Sequence, residues 1–160
     1  MKIKRSEILT NDDIWNAVLA AYGNYSFPTE NEKMNDFFIL FNYFCEMESG
    51  GHESLLNWFS QPIQQMGTHE YLRRLSIMLE QIGANDYAEI EKAYLKEMVN
   101  IFEIIESCGF EGPNYESLEA DFMNIIEKAD EEYRSLDEQI NVQIYKYALI
   151  IYKEVLEFDN

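Results

Sequence analysis

The sequence is poor in the residues that interrupt, staple or metallate a chain. Its 160 residues include 7 glycines, 3 prolines, 2 cysteines and 2 histidines. Scarce glycine and proline leave long stretches free to continue as one regular element. Cys45 and Cys108 stand far apart and in no metal-binding spacing. Nothing in them calls for a disulfide, and they read as two reduced, buried thiols of a cytoplasmic protein. His52 and His69 fit no H-E-x-x-H pattern, and there is no phosphate-binding glycine loop, G-x-S-x-G or C-x-x-C. A Cys–His nucleophile pair is formally available, but both cysteines lie on apolar stripes, where a structural thiol is the simpler reading. The sequence therefore calls for no metal and no cofactor, and the expectation is a protein that is not an enzyme. No apolar run reaches the roughly 18 residues that cross a bilayer, and the densest, residues 37–45, contains Asn42. Residues 1–7 are basic with no apolar segment behind them, which does not read as a secretion signal.

Basic residues are scarce as well. Lys and Arg total 12 against 30 Asp and Glu, a net charge of −18. A small domain stays in solution with a magnitude of about 2–8. Residues 1–80 carry net −5 and residues 81–160 net −13. Such a field repels nucleic acid and anionic membranes and favours basic proteins. The plain alternative is that the charge only confers solubility.

Apolar residues make up 47% of the chain and aromatics 14%, enough to build a core. They recur at helical spacing between the glycines and prolines. The spacing predicts helices over about 12–22, with Asn11 as N-cap, and over 32–48, stopped by Gly50-Gly51. A short helix over 53–60 and one over 68–82 follow, the latter capped by Thr68 and ended by Gly83. The next runs from a cap at Asn85 to Cys108, with an inward stripe of Tyr87, Ile90, Tyr94, Met98, Ile101, Ile105 and Cys108. Residues 109–113 read as a loop. Two more helices follow, one over 118–136 and one carrying Ile140 to Phe158. No strand pattern appears. The expected fold is all-α, one compact bundle-like domain of six or seven helices over 1–160, with 1–10 as a flexible N-terminal segment.

Two groups of residues are candidates for function. Glu127, Asp130 and Glu131 fall at i, i+3 and i+4 on one helical flank, joined by Glu132, by Glu116 and Glu119 upstream, and by Glu103 and Glu106 on the helix before. Like charges so spaced cost a few tenths of a kcal/mol per pair. Mixed signs would solvate a helix at lower cost, so a row imitating phosphates is one reading. The second group is Glu46, Glu48, Gly50, Gly51, His52 and Trp58. Two glycines permit a sharp reversal between apolar helices, and a small-ligand or enzyme site there competes with a plain helix–helix corner. A histidine near a helix start reads first as a surface residue.

The order of short segments carries a resemblance. Glu46…Ser49-Gly50-Gly51…Asn57-Trp58-Phe59, then Leu79-Glu80-Gln81-Ile82-Gly83-Ala84…Tyr87-Ala88, resembles a bacterial helical domain-of-unknown-function family that includes DMP-type DNA-mimic proteins. Tyr133-Arg134-Ser135-Leu136-Asp137-Glu138 is similar to that family's late Leu-Asp-[Asp/Glu] segment, which precedes a final helix with a tyrosine such as Tyr152; Trp15 matches an early aromatic position. Where the family has Phe after Gly-Gly and Gln three positions after the second glycine, this chain has His52 and Ser54. The resemblance implies an all-α cytoplasmic bacterial protein and makes DNA mimicry a hypothesis. The partner expected from charge and resemblance together is a basic protein, either a DNA-binding protein or a toxin neutralised by an immunity protein. Neither nucleic acid nor membrane is expected to bind directly. The many aromatics leave a homodimer open.

Overall fold

The computed structural model of the chain describes residues 2–108, 112, 114–136 and 139–159. Among these the fold is all-α, with six helices: α1 (Asn11–Gly23), α2 (Glu32–Met66), α3 (Thr68–Gln81), α4 (Asn85–Cys108), α5 (Tyr115–Arg134) and α6 (Ile140–Val155). Two three-residue strands, β1 (Lys2–Lys4) and β2 (Glu157–Asp159), pair in parallel with Ile3 opposite Phe158. Residues 2–4 are thus tied into a strand, where the sequence suggests a flexible segment. Three residues are too few to show a period of two, which is why the pair leaves no trace in the pattern. The 109–113 loop lies outside the described residues except for Gly112. No described helix is long and apolar enough to cross a membrane.

The chain forms two compact units, Met1–Phe41 with Gln139–Asn160, and Asn42–Glu138. In the first, α1 packs on α6, and rings dominate the packing. Trp15 meets Phe41 edge-on at 5.9 Å, Tyr22 meets Phe41 at 5.0 Å, and Phe27 stacks on Phe38 at 4.9 Å. Each such pair adds about 0.5–1.5 kcal/mol beyond its buried area. Thr10, not Asn11, caps α1. Its Oγ1 accepts from the Asp13 amide at 3.2 Å while Asp13 accepts from the Thr10 amide at 2.8 Å, a reciprocal capping box. Asn31 caps α2 by accepting from the Met34 amide at 3.0 Å. Asn35, almost fully buried, fastens the preceding loop: it donates to the Thr29 carbonyl at 2.8 Å and accepts from the Tyr25 hydroxyl.

In the second unit α3 packs on α4 and α4 on α5. Gly50 and Gly51 interrupt α2, Gly51 with φ +68°, so the expected break is present. Beyond it the helix continues through Pro62 to Met66, past the predicted end at residue 60, with the loss of one backbone bond. Gly67, with φ +89°, occupies the cap position expected of Thr68. Gly83 ends α3 as predicted. The Ala84 amide reaches the Leu79 carbonyl at 2.8 Å and the Gly83 amide reaches Glu80 at 3.0 Å, the paired bonds of a Schellman turn. The thiols differ from expectation: Cys45 is half-buried, and Cys108, the last residue of α4, is exposed.

Candidate functional site

The break in α2 aims His52 into the second unit. Its side chain is 0% exposed, as is that of Glu91 on α4, and Asp130 on α5 is 14% exposed. His52 Nε2 lies 3.0 Å from Glu91 Oε1, and Nδ1 lies 2.5 Å from Asp130 Oδ1. The His52 backbone amide donates to the same Asp130 oxygen at 3.1 Å. Tyr43, fully buried, donates its hydroxyl to Glu91 Oε1 at 2.7 Å. A ring with a carboxylate oxygen on each nitrogen donates from both, so it is an imidazolium.

Electrostatics agree with that geometry. Burial alone would lower the His52 pKa, but the Glu91 charge and the hydrogen bonds of Asp130 and Glu91 outweigh it and hold the ring up to about 10. Burial works to raise Asp130, and the His52 contacts overcome it, so this carboxyl lies below its ordinary value. Tyr43 is pushed well above the ordinary phenol value by burial and by Glu91. Glu91 Oε2 and the Tyr71 hydroxyl are buried without a hydrogen-bond partner among the described residues.

Gly51 makes the arrangement possible. A Cβ built there would fall 2.8 Å from both Cγ and Oδ1 of Asp130, closer than atoms pack. The positive φ and the seat for the carboxylate thus select glycine together. Beside the corner lies a cleft of about 420 Å³ lined by Met47, Glu48, Ser49, Gly50, Gly51, Asp130, Tyr133 and Arg134. The Tyr133 hydroxyl donates to Glu48 at 3.3 Å.

The structure divides the predicted corner residues. Glu48, Gly50 and Gly51 line the cleft, and His52 reaches it only through Asp130. Glu46 is held by the Ser54 hydroxyl at 2.5 Å. Trp58 stands 77% exposed and outside the cleft lining. His52 is a core residue, against the surface position expected from its place near a helix start; two carboxylates compensate its desolvation. With both nitrogens occupied, it can exchange a proton with a ligand only if one contact opens. Sequence reasoning passes over Glu91, although a signal is there: a carboxylate among Tyr87, Ile90 and Met98, on the inward stripe of α4. Among the described residues no group of three or more His, Cys, Asp or Glu is arranged to hold a metal ion.

The predicted acidic flank is also divided. Glu103 and Glu106 on α4 and Glu116, Glu119, Glu127, Glu131 and Glu132 on α5 are exposed. Asp130 belongs instead to the buried centre, because its place in the helical turn faces His52. Glu132 accepts from the Tyr94 hydroxyl at 2.5 Å and Glu119 from Tyr115 at 3.3 Å. Glu103, Glu106, Glu116, Glu127 and Glu131 form no ion pair among the described residues, whereas Glu70, Glu80 and Glu89 are paired with Arg73, Arg74 or Lys92.

Fold and centre together describe an all-α protein with a protonated histidine clamped between two carboxylates and with an acidic helical surface. Comparison with protein-family models, with curated proteins and with solved structures finds no match.

Proposed function

We propose that the chain is a non-enzymatic interaction protein whose α4–α5 surface binds a basic protein, of the kind that otherwise grips nucleic acid through its phosphates. The observation that carries this reading is the set of exposed carboxylates with no ion-pair partner among the described residues: Glu103, Glu106, Glu116, Glu127 and Glu131. On α5, Glu116, Glu127 and Glu131 recur at steps of eleven and four, which keeps them on one side of the helix. The unit that bears them has 21 acidic and 6 basic residues, net −15. An excess of negative charge attracts a cationic surface and speeds its encounter. The short-motif resemblance to DNA-mimic proteins, which no family model matches, carries none of this weight.

The test is a binding titration against a DNA-binding protein or basic toxin from the same cell, at low and high salt and with duplex DNA as competitor. Glu116, Glu127 and Glu131 are replaced by Lys together; Asp130 is left alone because its removal would open the buried centre. Binding that weakens steeply with salt, is displaced by DNA and is lost in the triple variant supports the proposal. Binding unchanged by the triple variant overturns it. A second reading, a small-ligand site at the corner, is favoured by the cleft beside Glu48, Asp130 and Arg134. Its volume falls within the range of about 300–1,000 Å³ usual for small-molecule sites.

A further inference from the structure

The first unit carries a pair of cations lining one recess that the interaction reading does not use. Arg5 and Lys153 share a recess of about 370 Å³ with Ile8, Tyr152 and Phe158. The Arg5 guanidinium lies over the Phe158 ring at 5.6 Å from its centroid, and Lys153 Nζ lies 5.6 Å from the centroid of Tyr152. The two rings meet edge to face at 6.3 Å. The strand register produces this arrangement. Pairing Ile3 with Phe158 and Lys4 with Asp159 brings Arg5, the next residue, alongside the end of β2.

Arg5 and Lys153 form no ion pair among the described residues, in a chain with 30 carboxylates. Asp159 borders a second recess with Lys4, Arg5 and Ser6 without closing a salt bridge to Arg5. Glu154 and Glu157 are exposed neighbours in sequence, and Glu7 accepts from the Lys4 amide at 3.3 Å. The rings orient the two cations and leave their N–H donors open. A guanidinium fork and an ammonium lining one recess are suited to a planar or tetrahedral oxyanion. Ile8, Tyr152 and Phe158 supply apolar wall to the same space.

We propose that this recess binds a small organic oxyanion with a flat apolar body, the anionic head held by Arg5 and Lys153 and the body lying against Ile8, Tyr152 and Phe158. The experiment is calorimetric titration of the full chain with 1-naphthyl phosphate, and separately with inorganic phosphate and with 1-naphthol. The expected result is one saturable site for naphthyl phosphate, weakened at least tenfold by Arg5→Gln and by Lys153→Gln, with each half-ligand binding far more weakly. Far-UV circular dichroism of both variants checks that they remain folded; both substitutions are at exposed positions. The proposal is overturned if naphthyl phosphate shows no saturable site, if the folded variants bind it unchanged, or if inorganic phosphate binds as tightly, which would leave no role for the apolar wall.

Discussion

The two units solve the problem of burying polar groups in opposite ways. The unit of Met1–Phe41 and Gln139–Asn160 has 9 acidic and 6 basic residues, and the polar groups it buries among those described are neutral: the amide of Asn35, the hydroxyl of Tyr147 and the amide oxygen of Gln143. Its packing is held by ring contacts among Trp15, Tyr22, Phe37, Phe38 and Phe41, of which Phe37 is fully buried and the others partly so. The unit of Asn42–Glu138, at net −15, buries an ionised histidine and a glutamate outright. The excess negative charge of the second unit is therefore not confined to its surface. Two of its carboxylates face inward, and their presence there is what keeps His52 protonated. Neutral polar burial asks only for hydrogen bonds; charged burial asks for a partner of opposite sign and ties stability to pH.

The largest effect expected is therefore at His52. Replacing it with Gln leaves Glu91 and Asp130 without their shared cation, and opening a buried pair in this way typically costs about 3–5 kcal/mol. The pH dependence is more diagnostic. The folded ring keeps its proton to about pH 10, whereas an unfolded one releases it near about 6.5. Its stabilisation is thus complete below about pH 6.5 and lost progressively as the pH climbs toward 10. Asp130, lowered in the folded chain, stabilises above its unfolded value of about 4 and loses that contribution as the pH falls through its folded value. Thermal unfolding from about pH 6 to 10 should show Tm falling in the parent and a flatter profile in His52→Gln. Phe38→Leu, in the ring-packed unit, should lower Tm by a similar amount at both ends of that range. Equal slopes in parent and His52→Gln would erase the distinction between the two interiors.

A smaller effect separates two glycines. Gly51→Ala forces an L side chain into φ +68° and against the Asp130 carboxylate. Strain of that kind costs about 1–3 kcal/mol, and displacement of Asp130 adds to it. Gly23, at the end of α1, has nothing within 4 Å of where a Cβ would stand and no positive φ. Gly23→Ala should be neutral or gain up to about 1 kcal/mol from reduced unfolded-chain entropy. Urea denaturation of both variants checks the pair, and a Gly51→Ala protein as stable as the parent would show that the corner does not need its close contact with α5.

How much of this is legible in the sequence follows from which forces act locally. Helix existence is legible, because stripes such as Leu75, Met78 and Leu79 record a core that repeats every turn. The breaks at Gly50-Gly51 and Gly83 are legible for a similar reason: positive φ is a local demand that glycine meets with least strain. The caps at Thr10 and Gly67 fall one residue before the expected positions: at α1 Thr10 prevails over Asn11 through its reciprocal bonds with Asp13, and at α3 the cap position has a positive φ, which selects Gly67 and not a side-chain acceptor. The buried centre is half legible. His52 and Asp130 each stand out in the sequence, but in separate groups and as surface residues. What joins them is the packing of α2 against α4 and α5 around a backbone turn, and residues 52, 91 and 130 are too distant in sequence for periodicity to report that. The exposed glutamates are legible as charges, and only their solvent exposure needs the fold.

The finest test uses two tyrosines that differ in one bond. Tyr43 and Tyr71 are both fully buried in the second unit, and burial first, then Glu91, raises the pKa of each. Of the two, Tyr43 donates to Glu91, at 2.7 Å; the Tyr71 hydroxyl has no partner among the described residues. A hydrogen bond to a charged group contributes about 1.5–3 kcal/mol, whereas an unpartnered buried hydroxyl carries a desolvation cost with nothing to offset it. Tyr43→Phe should therefore lower stability by that amount and reduce the protection of the Glu91 side of the centre. Tyr71→Phe should change stability by less than about 0.5 kcal/mol or raise it. Both substitutions keep ring volume, so packing is common to the two and the difference between them isolates the bond. Denaturant midpoints measured near pH 6, where the His52 ring is fully protonated, would suffice. Equal losses would mean that Tyr71 also serves the charged centre; no loss in either would mean that His52 and Asp130 hold Glu91 in place without help from the phenols.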